Sequence, residues 1–391
     1  MTTTRYLTGA GVLAVAAFVA ASAQAQDLKI GIMAVLSGPQ AVLGGQLRDG
    51  FMLGIKHAGG KLGGLTTTVT VQDDELKPDV AVGKAKQLIE RDKVDFVVGP
   101  VFSNILAAIM KPVTDGGAIL LSPNAGTSSF AGKECNANLF VTSYQNDQNH
   151  EVLGKYAQDK AIKKAFIMAP NYQAGKDALA GFKRYFKGEV VDEVYVPLNQ
   201  LDYSAELSKI AAASPEAIFV FLPGGMGVYF VKQFRQAGLA EKITFLSAFT
   251  VDESTLPAQQ DAALGMFGGT NWAPNLDNPQ NKAFVAAYEK EYNAVPGGYA
   301  AQAYDTALLI DSALKATGGK TDNKDALRAA LMKADFKSAR GKFKFNTNHY
   351  PIQDFYLVKV AKRPDGKFQT EIAQKVFTDY VDPYAKDCAM K

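Results

Sequence analysis

From residue 28 onward, short runs rich in branched apolar side chains alternate with longer amphipathic stretches, and the alternation occurs twice in series. A parallel strand buried on both faces reads as a continuous apolar run, and its parallel neighbour is reached only through a crossover, usually a helix. The pattern therefore predicts an α/β fold of two doubly wound halves. In the first half, strands are expected at 28–36, 67–72, 95–99 and 118–122, with a helix at 79–92 whose Ala81, Ala85, Leu88 and Ile89 share one face. In the second, strands are expected at 164–169, 190–196, 217–222 and 243–248, with a helix at 225–238 that stacks Phe230, Val231 and Phe234. Helical patterns follow at 279–294, 299–317 and 323–334, then two strands, 354–360 and 370–377, turned by Arg363-Pro364-Asp365-Gly366. No linker rich in Pro, Gly or Ser separates the halves, so they are expected to hinge about short extended segments.

The first 25 residues read as a targeting segment. Arg5 supplies the positive charge, residues 6–20 carry none, and the small-residue run Ala21-Ser22-Ala23-Gln24-Ala25 supplies a cleavage site after Ala25. The apolar run is shorter than the roughly 18–20 residues that span a bilayer, so a signal peptide and export to the periplasm are expected. Gln26 stands where a lipid-anchored chain would need a cysteine. Export places the two cysteines in an oxidising compartment, and an even count favours pairing, so a Cys135–Cys388 disulfide is expected.

Charge and composition then remove whole classes of function. Lys and Arg number 42 against 39 acidic residues, a net charge of +3, which offers no footprint for a phosphate backbone; no nucleic-acid partner is expected. Three histidines and two distant cysteines cannot form a zinc cluster, and no metal is expected. Neither a G-x-S-x-G elbow nor a G-x-G-x-x-G following a strand is present, so no hydrolase nucleophile or dinucleotide cofactor is signalled. Gly318-Gly319-Lys320-Thr321 follows a helix rather than a strand and reads as a helix C-cap. His150-Glu151 begins a zincin-like pattern that Gly154 breaks, and Asp73-Asp74-Glu75 reads as a solvated strand end or local cap. The chain is expected to be no enzyme and to carry no cofactor.

What remains is a set of loops at strand carboxyl ends, where open α/β sheets place ligands. They are Ser37 to Gly44, with Gln40 and Leu43; Gly99 to Asn104, with Phe102, Ser103 as the expected helix N-cap, and Asn104; and Ser122 to Thr127, with Asn124, Ala125 and Gly126. Unpaired N–H groups and a hydroxyl at a helix N-terminus can hold a carboxylate without a basic side chain.

The segments Lys29-Ile30-Gly31-Ile32, Leu36-Ser37-Gly38-Pro39, Gly59-Gly60-Lys61-Leu62-Gly63-Gly64, Asp73-Asp74, Asp95 to Pro100 and Gln236-Ala237-Gly238-Leu239, in this order, resemble one family. It is the type I periplasmic solute-binding proteins of the leucine/isoleucine/valine-binding protein family, and the resemblance spans essentially the whole chain after residue 25. It implies two α/β lobes joined by three crossovers, at 26–142 plus 272–345 and at 143–271 plus 346–391. It also implies a small ligand in the cleft, delivery to an ABC-type permease in the inner membrane, and a monomer.

Carried over residue by residue, the resemblance assigns the ligand-carboxylate serine to Ser103 and the following loop to Asn124, Ala125 and Gly126. Leu43 and Ala174 stand where the family has tyrosines, and Phe249 stands where it has the acid that pairs with an α-ammonium. A buried ammonium without a carboxylate costs several kcal/mol, so the cleft is expected to take an aromatic acid rather than an amino acid. Ser143 to Gln148, Pro170 to Asp177 and Asn348 to Gln353 resemble the family's benzoate, hydroxybenzoate and hydroxycinnamate branch. They add Tyr144, Asn171 and Tyr172 as candidates, and Trp272 joins them as the sole tryptophan near an expected crossover. Asp252, three residues beyond Phe249, is the alternative acid for an amino-acid ligand. A ligand sensor for a membrane receptor is the other alternative on the same fold.

Overall fold

The computed structural model describes residues 1, 2, 4 and 27–390. The expected signal segment and its cleavage site therefore lie, apart from those three residues, outside the described residues.

The first apolar runs form a six-stranded sheet from Leu28–Ala34 (β1), Lys61–Leu62 (β2), Leu65–Asp73 (β3), Phe96–Val98 (β4), Ile119–Ser122 (β5) and Leu139–Val141 (β6). Its order is β2-β3-β1-β4-β5-β6, with β2 antiparallel and the remaining pairs parallel. The second sheet holds Lys164–Pro170 (β7), Glu189–Val196 (β8), Ala217–Val220 (β9), Thr244–Ser247 (β10), Phe267–Thr270 (β11), Lys344–Phe345 (β12), Pro351–Lys362 (β13) and Phe368–Tyr380 (β14). Its order is β12-β13-β11-β10-β9-β7-β8, with β14 paired to β13. The strands β8, β7, β9, β10 and β11 are parallel, and β13 closes the sheet antiparallel to β11. Helices cover both sheets, giving the expected two-lobed α/β architecture. Helices Ala41–His57 and Gly298–Ala316 pack so closely that a Cβ on Gly50 would lie 2.1 Å from the Ala300 carbonyl oxygen, which is why that position holds glycine.

Several strands stop short of their apolar runs. β1 ends at Ala34, β9 at Val220 and β10 at Ser247, although Val35, Leu222 and Ala248 are as buried as the ladder residues. Apolar sequence reports burial, and here burial continues into loops whose backbone is satisfied by side chains: the Leu222 N–H donates to Thr250 Oγ1 at 2.9 Å. The helix expected at 79–92 is Pro78–Lys86, continued by a π-helical turn over Gln87–Arg91. The Gly318 and Gly319 segment ends its helix as expected, with both residues at positive φ and the Gly319 N–H returning to the Leu314 carbonyl at 2.8 Å.

The three crossovers meet at one buried node. The Ser143 carbonyl, on the first crossing, accepts from Asn271 Nδ2 on the second at 3.1 Å and from Gln353 Nε2 on the third at 2.5 Å. Arg340 Nη1 donates to the same carbonyl at 3.1 Å, while its Nε pairs with Asp305 at 2.9 Å. At the chain's far end Cys135 and Cys388 are joined with Cα atoms 5.7 Å apart. Among the described residues no helix is long and apolar enough to cross a membrane.

Candidate functional site

The carboxyl ends of β1, β4 and β5 in one lobe face those of β7, β9 and β10 in the other. Between them lies a small cavity, in the crevice outside the strand ends where open α/β sheets place their ligands. Its walls are aromatic. Tyr144 stacks on Phe249 with centroids 5.3 Å apart, Tyr172 lies 6.3 Å from Phe221 and 6.1 Å from Phe102, and Tyr299 stands 5.9 Å from Phe249. Phe249 thus sits amid rings from both lobes. Its φ of +62° is one that bulky residues rarely adopt, so its ring is held there by the surrounding packing.

One end of the cavity is polar. Phe102, not Ser103, is the N-cap of helix Ser103–Asp115, so Ser103 is the first helical residue and its hydroxyl makes no capping bond. That hydroxyl accepts from Asn146 Nδ2 at 3.2 Å, and its own proton finds no acceptor among the described residues. The Ile105 N–H returns to the Phe102 carbonyl at 3.1 Å, while the N–H groups of Ser103 and Asn104 precede the first bond of the helix. Nearby, Asn124 donates to the Val101 carbonyl at 2.6 Å and accepts the Tyr144 hydroxyl at 2.7 Å, which fixes that ring. A Cβ on Gly126 would lie 1.9 Å from the Tyr144 carbonyl oxygen, so glycine lets the two loops touch.

None of the lining residues is acidic, and none is lysine or arginine. His150 lines the cavity too, but burial depresses its pKa to about 3, so the imidazole is neutral at ordinary pH. Burial likewise holds the Tyr144, Tyr172 and Tyr299 phenols well above their usual range and protonated. The wall is thus neutral and largely aromatic, with hydrogen-bond donors at one end.

A family model described as "Periplasmic binding protein" matches residues 27–367. The chain belongs to the periplasmic binding protein family. This binding protein is 29% identical over 384 residues to the Leu/Ile/Val-binding protein homolog 6 of Brucella abortus, covering 96% of this chain and 97% of the relative. It is similar to an ABC-transporter solute-binding protein of R. palustris solved in complex with benzoate, at 31% identity and a TM-score of 0.88, covering 93% of this chain and 100% of that one. A second R. palustris solute-binding protein, in complex with 4-hydroxybenzoate, matches at 29% identity and a TM-score of 0.84, covering 91% and 98%. The protein is accordingly a solute-binding protein of the ABC-transporter type and not an enzyme.

Of the residues singled out from sequence, the fold of this binding protein brings Leu43, Phe102, Ser103, Asn124, Ala125, Tyr144, Tyr172, Ala174 and Phe249 together around the cavity. Five lie elsewhere. Gln40 is buried between the lobes, its Nε2 donating to Asn199 Oδ1 at 3.3 Å. Asn104 belongs to the first turn of its helix, Gly126 packs behind the lining, and Asn171 is exposed. Trp272 is an ordinary core aromatic, with Nε1 donating to Asn281 Oδ1 at 2.6 Å and its ring 6.0 Å from Phe284. Asp252 does not line the cavity either: its Oδ1 accepts the Ser254 N–H at 2.8 Å and the Ser254 hydroxyl, as a local turn cap. Val101, Asn146, His150, Phe221, Pro223 and Tyr299 complete the wall, and sequence reasoning had singled out none of them for this role.

Proposed function

We propose that this protein is the periplasmic component of an ABC transporter that binds an aromatic monocarboxylate and closes its two lobes around it. It passes the ligand to a permease in the inner membrane and acts as a monomer. One observation carries the reading: Phe249 lines a cavity that has no acidic side chain in its wall. An amino acid bound there would strand its ammonium, at a cost of several kcal/mol. An aromatic acid instead places its carboxylate against Ser103 and the helix N-terminus and buries its ring among Tyr144, Tyr172 and Phe249. Burying about 100 Å² of ring surface is worth a few kcal/mol at roughly 25 cal/mol per Å². The solved R. palustris relatives in complex with benzoate and 4-hydroxybenzoate support the same reading.

Calorimetric titration with benzoate, 4-hydroxybenzoate, a cinnamate, leucine and phenylalanine tests it. An aromatic acid is expected to bind and both amino acids to give no heat. Ser103→Ala is expected to weaken the aromatic acid by about 1–3 kcal/mol. Tight binding of an amino acid with no response to any aromatic acid overturns the proposal.

A further inference from the structure

The wall of the cavity contains a buried imidazole whose hydrogen-bonding capacity the protein itself leaves unused. His150 is 2% exposed, and neither of its ring nitrogens makes a hydrogen bond among the described residues; Nδ1 is wholly enclosed. A buried polar group left without a partner costs about 1–3 kcal/mol, and the neighbours offer none. Phe219, Phe221 and Phe249 meet the imidazole edge-to-face at centroid distances of 5.6, 5.0 and 6.2 Å. These contacts hold the ring in one orientation without touching its hydrogen-bonding capacity.

Its position relative to the polar end is set by one helix. Asn146 is the N-cap of Asp147–Asp159 and donates to Ser103. His150 follows four residues later, so it lies on the same face about one turn further on, roughly 6 Å along the axis. His150 thus lies one helical turn beyond the residue that holds Ser103, and its ring meets that of Phe249.

We propose that His150 recognises a hydroxyl on the ligand's ring at the end remote from its carboxylate, which makes a hydroxylated aromatic carboxylate the preferred ligand class. This rests on the aromatic-acid reading above and adds the residue and the substituent. A neutral imidazole has one donor and one acceptor nitrogen, matching a phenolic hydroxyl, which also donates and accepts. It offers no charge to a second carboxylate. A site built to hydrogen-bond a substrate hydroxyl discriminates strongly against the analogue lacking it, because its polar group is then left unpaired.

Calorimetry of benzoate and 4-hydroxybenzoate against the wild type, His150→Phe and His150→Asn provides the test. Wild type is expected to prefer 4-hydroxybenzoate by about tenfold or more. His150→Phe is expected to bring the ratio to near one by weakening only the hydroxylated acid, and His150→Asn to retain part of the preference. Should the variants not fold, imidazole ¹⁵N shifts of His150 in the wild type replace them: they are expected to move with 4-hydroxybenzoate and not with benzoate. An unchanged ratio in His150→Phe, a wild-type preference for benzoate, or equal shifts with both acids overturns the assignment while leaving the aromatic-acid reading intact. If neither acid binds the wild type, it is the aromatic-acid reading itself that fails, and this assignment falls with it.

Discussion

Asp177, on a helix of the second lobe, accepts the hydroxyl of Ser128 in the first lobe at 2.7 Å and the Ser128 N–H at 3.2 Å. The same carboxylate accepts Asn146 Nδ2 at 2.9 Å, and that amide reaches Ser103 at the polar end of the cavity. A single buried acid therefore links lobe closure to the ligand site without lining it.

Removing this latch should disfavour the closed form. Asp177→Ala is expected to weaken binding of an aromatic acid by about 1–3 kcal/mol and to enlarge the radius of gyration of the liganded protein in small-angle scattering. If affinity and scattering both match wild type, Asp177 has no part in closure.

Phe249 offers a test of backbone strain. Glycine is ordinarily about 0.5–1 kcal/mol worse than alanine within regular structure, but at positive φ the order reverses. With φ at +62°, Phe249→Gly is expected to melt above Phe249→Ala, while both weaken an aromatic acid by about tenfold or more through the lost wall. An alanine variant that melts higher than the glycine variant would contradict the strain assigned to this residue.

Arg340 and Asp305 pair at 2.9 Å with side chains 1% and 0% exposed, and Arg340 also joins the node of the three crossovers. Breaking such a buried pair from one side leaves an uncompensated charge, which costs about 3–5 kcal/mol. Arg340→Met should therefore lower the denaturant midpoint sharply at an unchanged slope, and a loss below about 1 kcal/mol would show that the node carries little of the stability.

Two histidines make the fold acid-sensitive. Burial lowers the pKa of His150 to about 3 and that of His349 to about 4, whereas an unfolded histidine titrates near 6.5. Below pH 6.5 the unfolded chain takes up protons that the folded chain refuses, so stability falls as pH drops from about 6.5 toward 3–4, by up to about 1.4 kcal/mol per pH unit per histidine. Glu253 and Asp74, raised by burial to about 7 and about 6, act in the opposite sense as the pH falls through those values. Comparing the pH slope of unfolding in wild type and His150→Phe isolates one histidine. The variant's slope between pH 6 and 4 is expected to be shallower, and parallel slopes would place the proton uptake elsewhere.

The architecture was legible because apolar runs and helical periodicity are local signals, and the family resemblance fixed their order. Ser103, Asn124 and Phe249 were legible because strand-end loops are where such sheets gather ligands. His150 was not: it registered only as the start of a broken zincin-like pattern within the polar stretch 147–151, yet all five of those residues are buried. Phe221 read as part of a strand that ends at Val220. Tyr299 reaches the wall only because its helix begins beside a loop far away in sequence. Trp272 was misplaced for the converse reason, since rarity in composition says nothing about which side of a crossover a ring faces.

The Cys135–Cys388 bridge spans a sequence separation of 253 residues, and the enclosed stretch contains every strand of the second sheet and all three crossovers. The binding protein is thus a covalent ring with two arms, a long one before Cys135 that carries most of the first sheet and a three-residue one after Cys388. A single proteolytic nick anywhere within the ring leaves one molecule, its two pieces travelling together on a non-reducing gel and separating only after reduction. A nick in the arm before Cys135 releases a fragment at once upon denaturation.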